Sequence, residues 1–105
     1  MMVLRGVNIF PIQIEKILMQ FPELANNYLI TLTTDEDNDN MTVEVELEDM
    51  FTDDYARLQA LNKTVTRALK DEILLTPHVK FVAKGSLPVS EGKAVRVVDK
   101  RKVYQ

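Results

Sequence analysis

The sequence has no cysteine, which removes a disulfide framework, a thiolate nucleophile and any cysteine-based zinc site at one stroke. A single histidine, His78, makes other zinc sites improbable. It has no second histidine or identified acidic partner, so it reads as a structural residue rather than a general base. No run of apolar residues approaches the ~18 that a membrane helix needs, because Arg5, Glu15, Lys16 and others interrupt each one. The opening "MMVLRGVNIFPI" lacks a signal peptide's order of charge, apolar stretch and cleavage site, and reads as folded chain. Basic charge is in deficit too: the net charge is −3, which disfavours nonspecific binding to nucleic acid. A cytoplasmic setting without nucleic-acid or membrane partners is the expectation.

What is present fits one soluble domain. The chain has 105 residues, 46% of them hydrophobic and 28% charged. That supports a single core but leaves little room for an enclosed active site, so chemistry is expected at an edge. "MMVLRG" reads as a short strand entering a turn at Gly6. Pro11 then opens a helix with Ile14, Ile17, Leu18 and Phe21 on one face, ended by Pro22. "NYLITLTT" and "MTVEVELE" alternate as strands, joined by "DEDNDN" as a hairpin. Thr52 can cap a second helix, with Asp53 and Asp54 in its first turn and Tyr55, Leu58, Leu61, Val65, Leu69 and Ile73 as its apolar stripe. "HVKFVAK" follows as a strand, residues 85–92 as a loop, and "AVRVV" as a short last strand or extended tail. The order β-α-β-β-α-β predicts an α+β two-layer sandwich, ferredoxin-like, with both helices on one face of a mostly antiparallel sheet.

Three local patterns invite a function and fail it. Asp35, Asp37, Asp39 and Glu46 have calcium-loop spacing, but Asn40 replaces the required glycine and the flanks are strands, so the run reads as a solvated hairpin tip. "GK" at Gly92–Lys93 is not a phosphate loop, because Leu87 and Ala94 stand where glycine and a hydroxyl residue are needed. Lys100, Arg101 and Lys102 read as a solvated end with no aromatic platform for bases. Lys93 differs from these. Ser90, Glu91 and Gly92 give it a hinged loop from which its long stem can project a charge.

"RGVNIFPIQIEKIL" at residues 5–18 and "GSLPVSEGKAVRVVDKR" at 85–101 together resemble the carboxy-terminal lid domain of the adenylate-forming acyl-CoA synthetases, closest to the phenylacetate–CoA ligases. The first stretch matches that family's motif at Arg5, Gly6, Val7, Asn8, Phe10, Pro11, Ile14 and Glu15, and the second matches its lysine motif at Lys93. The resemblance spans essentially the whole chain. It implies a lid that rotates between two half-reactions. Lys93 is then the catalytic residue of adenylate formation, with Ser90, Glu91 and Gly92 supporting its loop. Arg5, Gly6, Val7 and Asn8 form a loop for the coenzyme A step, and Glu15 is a structural helix charge. ATP and coenzyme A are implied as co-substrates, with Mg2+ held by a domain this sequence lacks. The implied partners are the chain's own amino-terminal adenylating domain and a small aromatic carboxylic acid, and a homodimer is compatible with the full-length protein. The alternative is a non-enzymatic ferredoxin-like or ACT-like regulatory module that binds a small ligand between paired sheets.

Overall fold

The fold was obtained as a computed structural model, and the structure describes residues 2–36, 38–48, 54–87 and 97–101. Its elements run β1 (Met2–Leu4), β2 (Val7–Ile9), α1 (Pro11–Leu18), β3 (Leu24–Asp35), β4 (Asn38–Leu47), α2 (Tyr55–Ile73), β5 (His78–Val82) and β6 (Val97–Asp99). β1 and β2 make a two-stranded ribbon, and the remaining strands a four-stranded sheet in the order β5-β4-β3-β6.

The alternation foreseen in the two long strands sets the layers. Tyr28, Ile30 and Leu32 from β3 and Met41, Val43, Val45 and Leu47 from β4 are buried on one side of the sheet. Ile14, Ile17 and Leu18 of α1 and Leu61, Val65, Leu69 and Ile73 of α2 join them in a single core. Each fully buried aliphatic chain there contributes roughly 1.5–3 kcal/mol of transfer free energy. The predicted α+β sandwich is therefore present, with both helices on the core face. Between the helices, Lys16 Nζ meets Glu72 Oε1 at 2.6 Å on the surface.

Strand pairing departs from the sequence expectation in two respects. The first strand does not enter the main sheet: Leu4 pairs with Val7 across a two-residue turn, so β2 takes up the hydrogen bonds of β1. In the main sheet β3–β4 is antiparallel, but β4–β5 and β3–β6 are parallel, making it mixed rather than mostly antiparallel. α2 explains the first parallel pair: a crossover helix returns the chain to the end it left, so the next strand runs the same way.

Helix ends show smaller differences. Pro11 opens α1 as predicted, and the Gln13 side chain reaches back to accept from the Phe10 amide at 2.8 Å. α2 is capped by Asp54, whose Oδ1 accepts from the Arg57 amide at 3.1 Å; Thr52 and Asp53 lie outside the described residues. A carboxylate in that position satisfies an amide the helix leaves unpaired. Tyr55 is 74% exposed and so stands off the apolar stripe to which its spacing assigned it. The helix ends at Leu74, which adopts the left-handed conformation at φ 66°.

Candidate functional site

The Arg5–Gly6 segment is the tip of the β1–β2 hairpin. Both residues have positive φ, 49° and 78°, the signature of a type I′ turn whose twist matches the flanking strands. Glycine suits the second position, while arginine in the first carries a backbone cost of about 1–2 kcal/mol. The Arg5 side chain is held: Nε donates to the Asp39 carbonyl at 3.1 Å and Nη2 to Asn40 Oδ1 at 3.2 Å. Of the four loop residues singled out from the sequence, Arg5 and Gly6 form the turn, and Val7 and Asn8 belong to strand β2. All four lie together on the ribbon, with Asn8 exposed.

Arg101 is docked, contrary to the expectation of a solvated end. Its guanidinium donates to both carboxylate oxygens of Asp99, to Asp39 Oδ2 at 3.1 Å and to the Val3 carbonyl at 2.6 Å. Asp99's hydrogen bonds raise the Arg101 pKa above its already high value, and Asp39 adds to this. The same hydrogen bonds hold the Asp99 carboxyl below its ordinary range. Asp39, one of the acidic hairpin residues, thus serves as a junction: Arg5, Arg101 and Thr34 all bond to it. The acidic run continues the β3–β4 ladder out to the Asp35–Asn38 pair. Among the described residues no cluster of three metal-ligating side chains occurs.

Lys93, Ser90, Glu91 and Gly92 lie outside the described residues, but both approaches to them are described. Val82 ends β5 at one edge of the sheet and Val97 begins β6 at the opposite edge. The fourteen residues 83–96 join them. The two ends are three strand spacings apart, about 14 Å, and three residues out of step along the strands, about 10 Å, so about 17 Å in all, whereas fourteen residues can reach about 46 Å. The connection is therefore more than twice as long as the gap it crosses.

Its first part is fixed to the face of the sheet away from the helices. Gly85 turns the chain at φ 84°, and its amide donates to Glu46 Oε1 at 2.9 Å. The Leu87 amide donates to Glu46 Oε2 at 3.0 Å, and Asn27 Nδ2 donates to the same oxygen at 2.8 Å. Burial pushes the Glu46 carboxyl up, but these three hydrogen bonds and the charge of Lys84 outweigh it and bring the net value below the ordinary range. The sequence singles out Glu46 only within the rejected calcium-loop spacing, and alternation along β4 puts it with Glu44 on the face opposite Val43 and Val45. At 4% exposure it is buried beneath the turn. At the other end, Val97 pairs with Ile30, and the Lys100 amide extends the contact to the Leu32 carbonyl at 2.7 Å.

Residues 6–101 match the family described as AMP-binding enzyme C-terminal domain, and the chain belongs to that family. Among curated proteins it is 33% identical to the phenylacetate-coenzyme A ligase of Thermus thermophilus over 97% of this chain and 26% of that protein. The Escherichia coli ligase of the same name is also 33% identical, over 98% and 24%. The chain thus spans about a quarter of the length of the curated relatives it matches. A crystal structure of a domain of phenylacetate-coenzyme A ligase from Bacteroides vulgatus shares 65% identity at a TM-score of 0.91, covering 99% of this chain and 95% of that one. A 2-hydroxyisobutyryl-CoA ligase solved with 2-HIB-AMP and CoA in the thioesterification state is 25% identical at a TM-score of 0.88, over 97% of this chain and 21% of that one.

Proposed function

We propose that this chain is the carboxy-terminal lid of a longer ATP-dependent phenylacetate–CoA ligase, and that it works against that protein's own amino-terminal adenylating domain. The family match over residues 6–101, which takes in Gly6, Val7 and Asn8 as well as the Lys93 segment, carries this reading. The 65% identity to a domain of a phenylacetate-coenzyme A ligase supports the choice of acid. Neither favours a regulatory module.

In the first half-reaction an oxygen of the aryl-acid carboxylate attacks the α-phosphorus of ATP. The acyl–O–P bond forms, the bond to the β-phosphate bridging oxygen breaks, and pyrophosphate leaves. Lys93 presents its ammonium to the carboxylate and α-phosphate, a compact charge where negative charge redistributes. In the second half-reaction the thiol of coenzyme A loses its proton to solvent, its sulfur attacks the acyl carbon, the acyl carbon–oxygen bond to the phosphate breaks, and the thioester forms as AMP leaves. The Arg5–Gly6 turn then lines the path of the pantetheine arm, where a residue without Cβ allows close approach. Magnesium belongs with ATP in the amino-terminal domain. A cytoplasmic setting fits both co-substrates and a chain without cysteine.

The test is Lys93→Ala in the full-length ligase. Phenylacetate-dependent pyrophosphate exchange is expected to fall about 100- to 1000-fold, while thioester formation from supplied phenylacetyl adenylate stays within about twofold of wild type. Exchange at the wild-type rate would remove Lys93 from the reaction.

A further inference from the structure

Glu46 is the one buried charged side chain among the described residues, and a buried carboxylate is costly unless its oxygens are fully hydrogen-bonded. Two of its three donors are main-chain amides of a single turn, Gly85 and Leu87. Such a carboxylate fixes the position of a backbone, whereas an ordinary ion pair fixes only another side chain. Asn27 holds the carboxylate from the neighbouring strand β3, which ties the turn to the middle of the sheet. Leu87 is buried outside the main core, so its side chain secures the same point. Six residues further along the sequence stands Lys93.

We infer that Glu46 is a positioning residue for adenylate formation: through the Gly85 and Leu87 amides it sets where the Lys93 segment leaves the sheet. The inference rests on the role proposed above for Lys93. A connection more than twice as long as the gap it crosses has to be pinned near the lysine if the ammonium is to arrive repeatedly at one place. Leu87 is the pin on the near side, and the pairing of Val97 with Ile30 is the pin on the far side. Misplacement of a reacting group by an ångström can cost on the order of 100-fold in rate. Glutamine keeps the size of Glu46 but turns an NH2 toward an amide donor, so it releases one of the pinned points.

The experiment is a double-mutant cycle in the full-length ligase with Glu46→Gln and Lys93→Ala. Glu46→Gln is expected to lower the kcat of pyrophosphate exchange by about tenfold with KM for the acid within about twofold. Thioester formation from supplied phenylacetyl adenylate is expected to stay within about twofold. In the Lys93→Ala background the same substitution is expected to cost less than about twofold further, because residues that act through one another are not additive. Equal losses in both half-reactions, or a full tenfold loss on top of Lys93→Ala, would assign Glu46 to general stability and overturn the inference. Should the glutamine variant not fold, Glu46→Asp, which keeps the charge one methylene short, carries the same cycle with the same two criteria. Lys93→Ala alone separates the two proposals. If it leaves exchange intact, the role of Lys93 and the inference both fall. If it abolishes exchange while the Glu46 variants leave it unchanged, only the inference falls.

Discussion

Arg101 Nη1 lies 3.1 Å from Asp39 Oδ2, and the same nitrogen reaches the Val3 carbonyl. One guanidinium therefore joins three segments far apart in sequence: β1, the start of β4 and the residue two beyond β6. With side chains 23% and 31% exposed, the pair is sheltered enough to matter. Truncation to alanine is expected to cost about 1–3 kcal/mol, read as a fall in Tm of about 4–8 °C for each kcal/mol. Lysine should restore only a minor part, because a point charge cannot fork between Asp99, Asp39 and a carbonyl. An unchanged Tm for Arg101→Ala would mean the junction contributes nothing.

Gly6 and Leu74 should respond in opposite directions to substitution. Gly6→Ala places a Cβ at φ 78° with no atom within 4 Å, so its cost is the backbone term alone, about 1–2 kcal/mol. Leu74 already bears such a cost at φ 66° while 75% exposed, and Leu74→Gly is expected to gain up to about 1 kcal/mol. Urea midpoints at constant m-value measure both. Loss of stability in the Leu74 variant would contradict the assigned helix end.

Acid should act partly through Glu46. Its folded-state pKa is depressed, as is that of Asp99, so both contribute stability that is present above the unfolded values of about 4.3 and 3.9. That stability is lost as pH falls through the lower folded values. Unfolding free energy should therefore be flat above about pH 5 and drop below about pH 4. Glu46→Gln should be less stable at neutral pH yet lose less between neutral pH and pH 3. An acid limb as steep as that of wild type would exclude Glu46 from it.

The elements that announce themselves in the sequence are those whose partners repeat at a fixed period. The α2 stripe of Leu61, Val65, Leu69 and Ile73 and the β4 stripe of Val43 and Val45 are legible because each spans several turns or pleats. β2 is not, since three residues with Asn8 in the centre hold no period, and without β2 nothing in the sequence separates β1 from the main sheet. The cap at Asp54 rests on one amide contact that two adjacent acidic residues do not reveal. Arg101 and Glu46 owe their roles to partners 62 and 41 positions away. Such partners exist only once the sheet order is known, and nothing local separates Glu46 from Glu44. The Arg5–Asn8 and Lys93 motifs are legible as a resemblance, while the pins beside the lysine segment exist only once β3 and β4 lie side by side beneath the Gly85 turn.

The strand order also sets a timetable for synthesis. β4, α2 and β5 each fold beside something already made, but the free edge of β3 waits for β6, and Asp35 and Val97 are 62 positions apart (97 − 35). At about 5–20 residues per second the wait is roughly 3–12 s. During that interval the backbone of Ile30 to Leu32 has no neighbour on that side. Such an edge can recruit strands from other nascent chains. The segment bearing Lys93 must be made before the closing strand can arrive, so the ribosome delivers that segment and the seal of the sheet together.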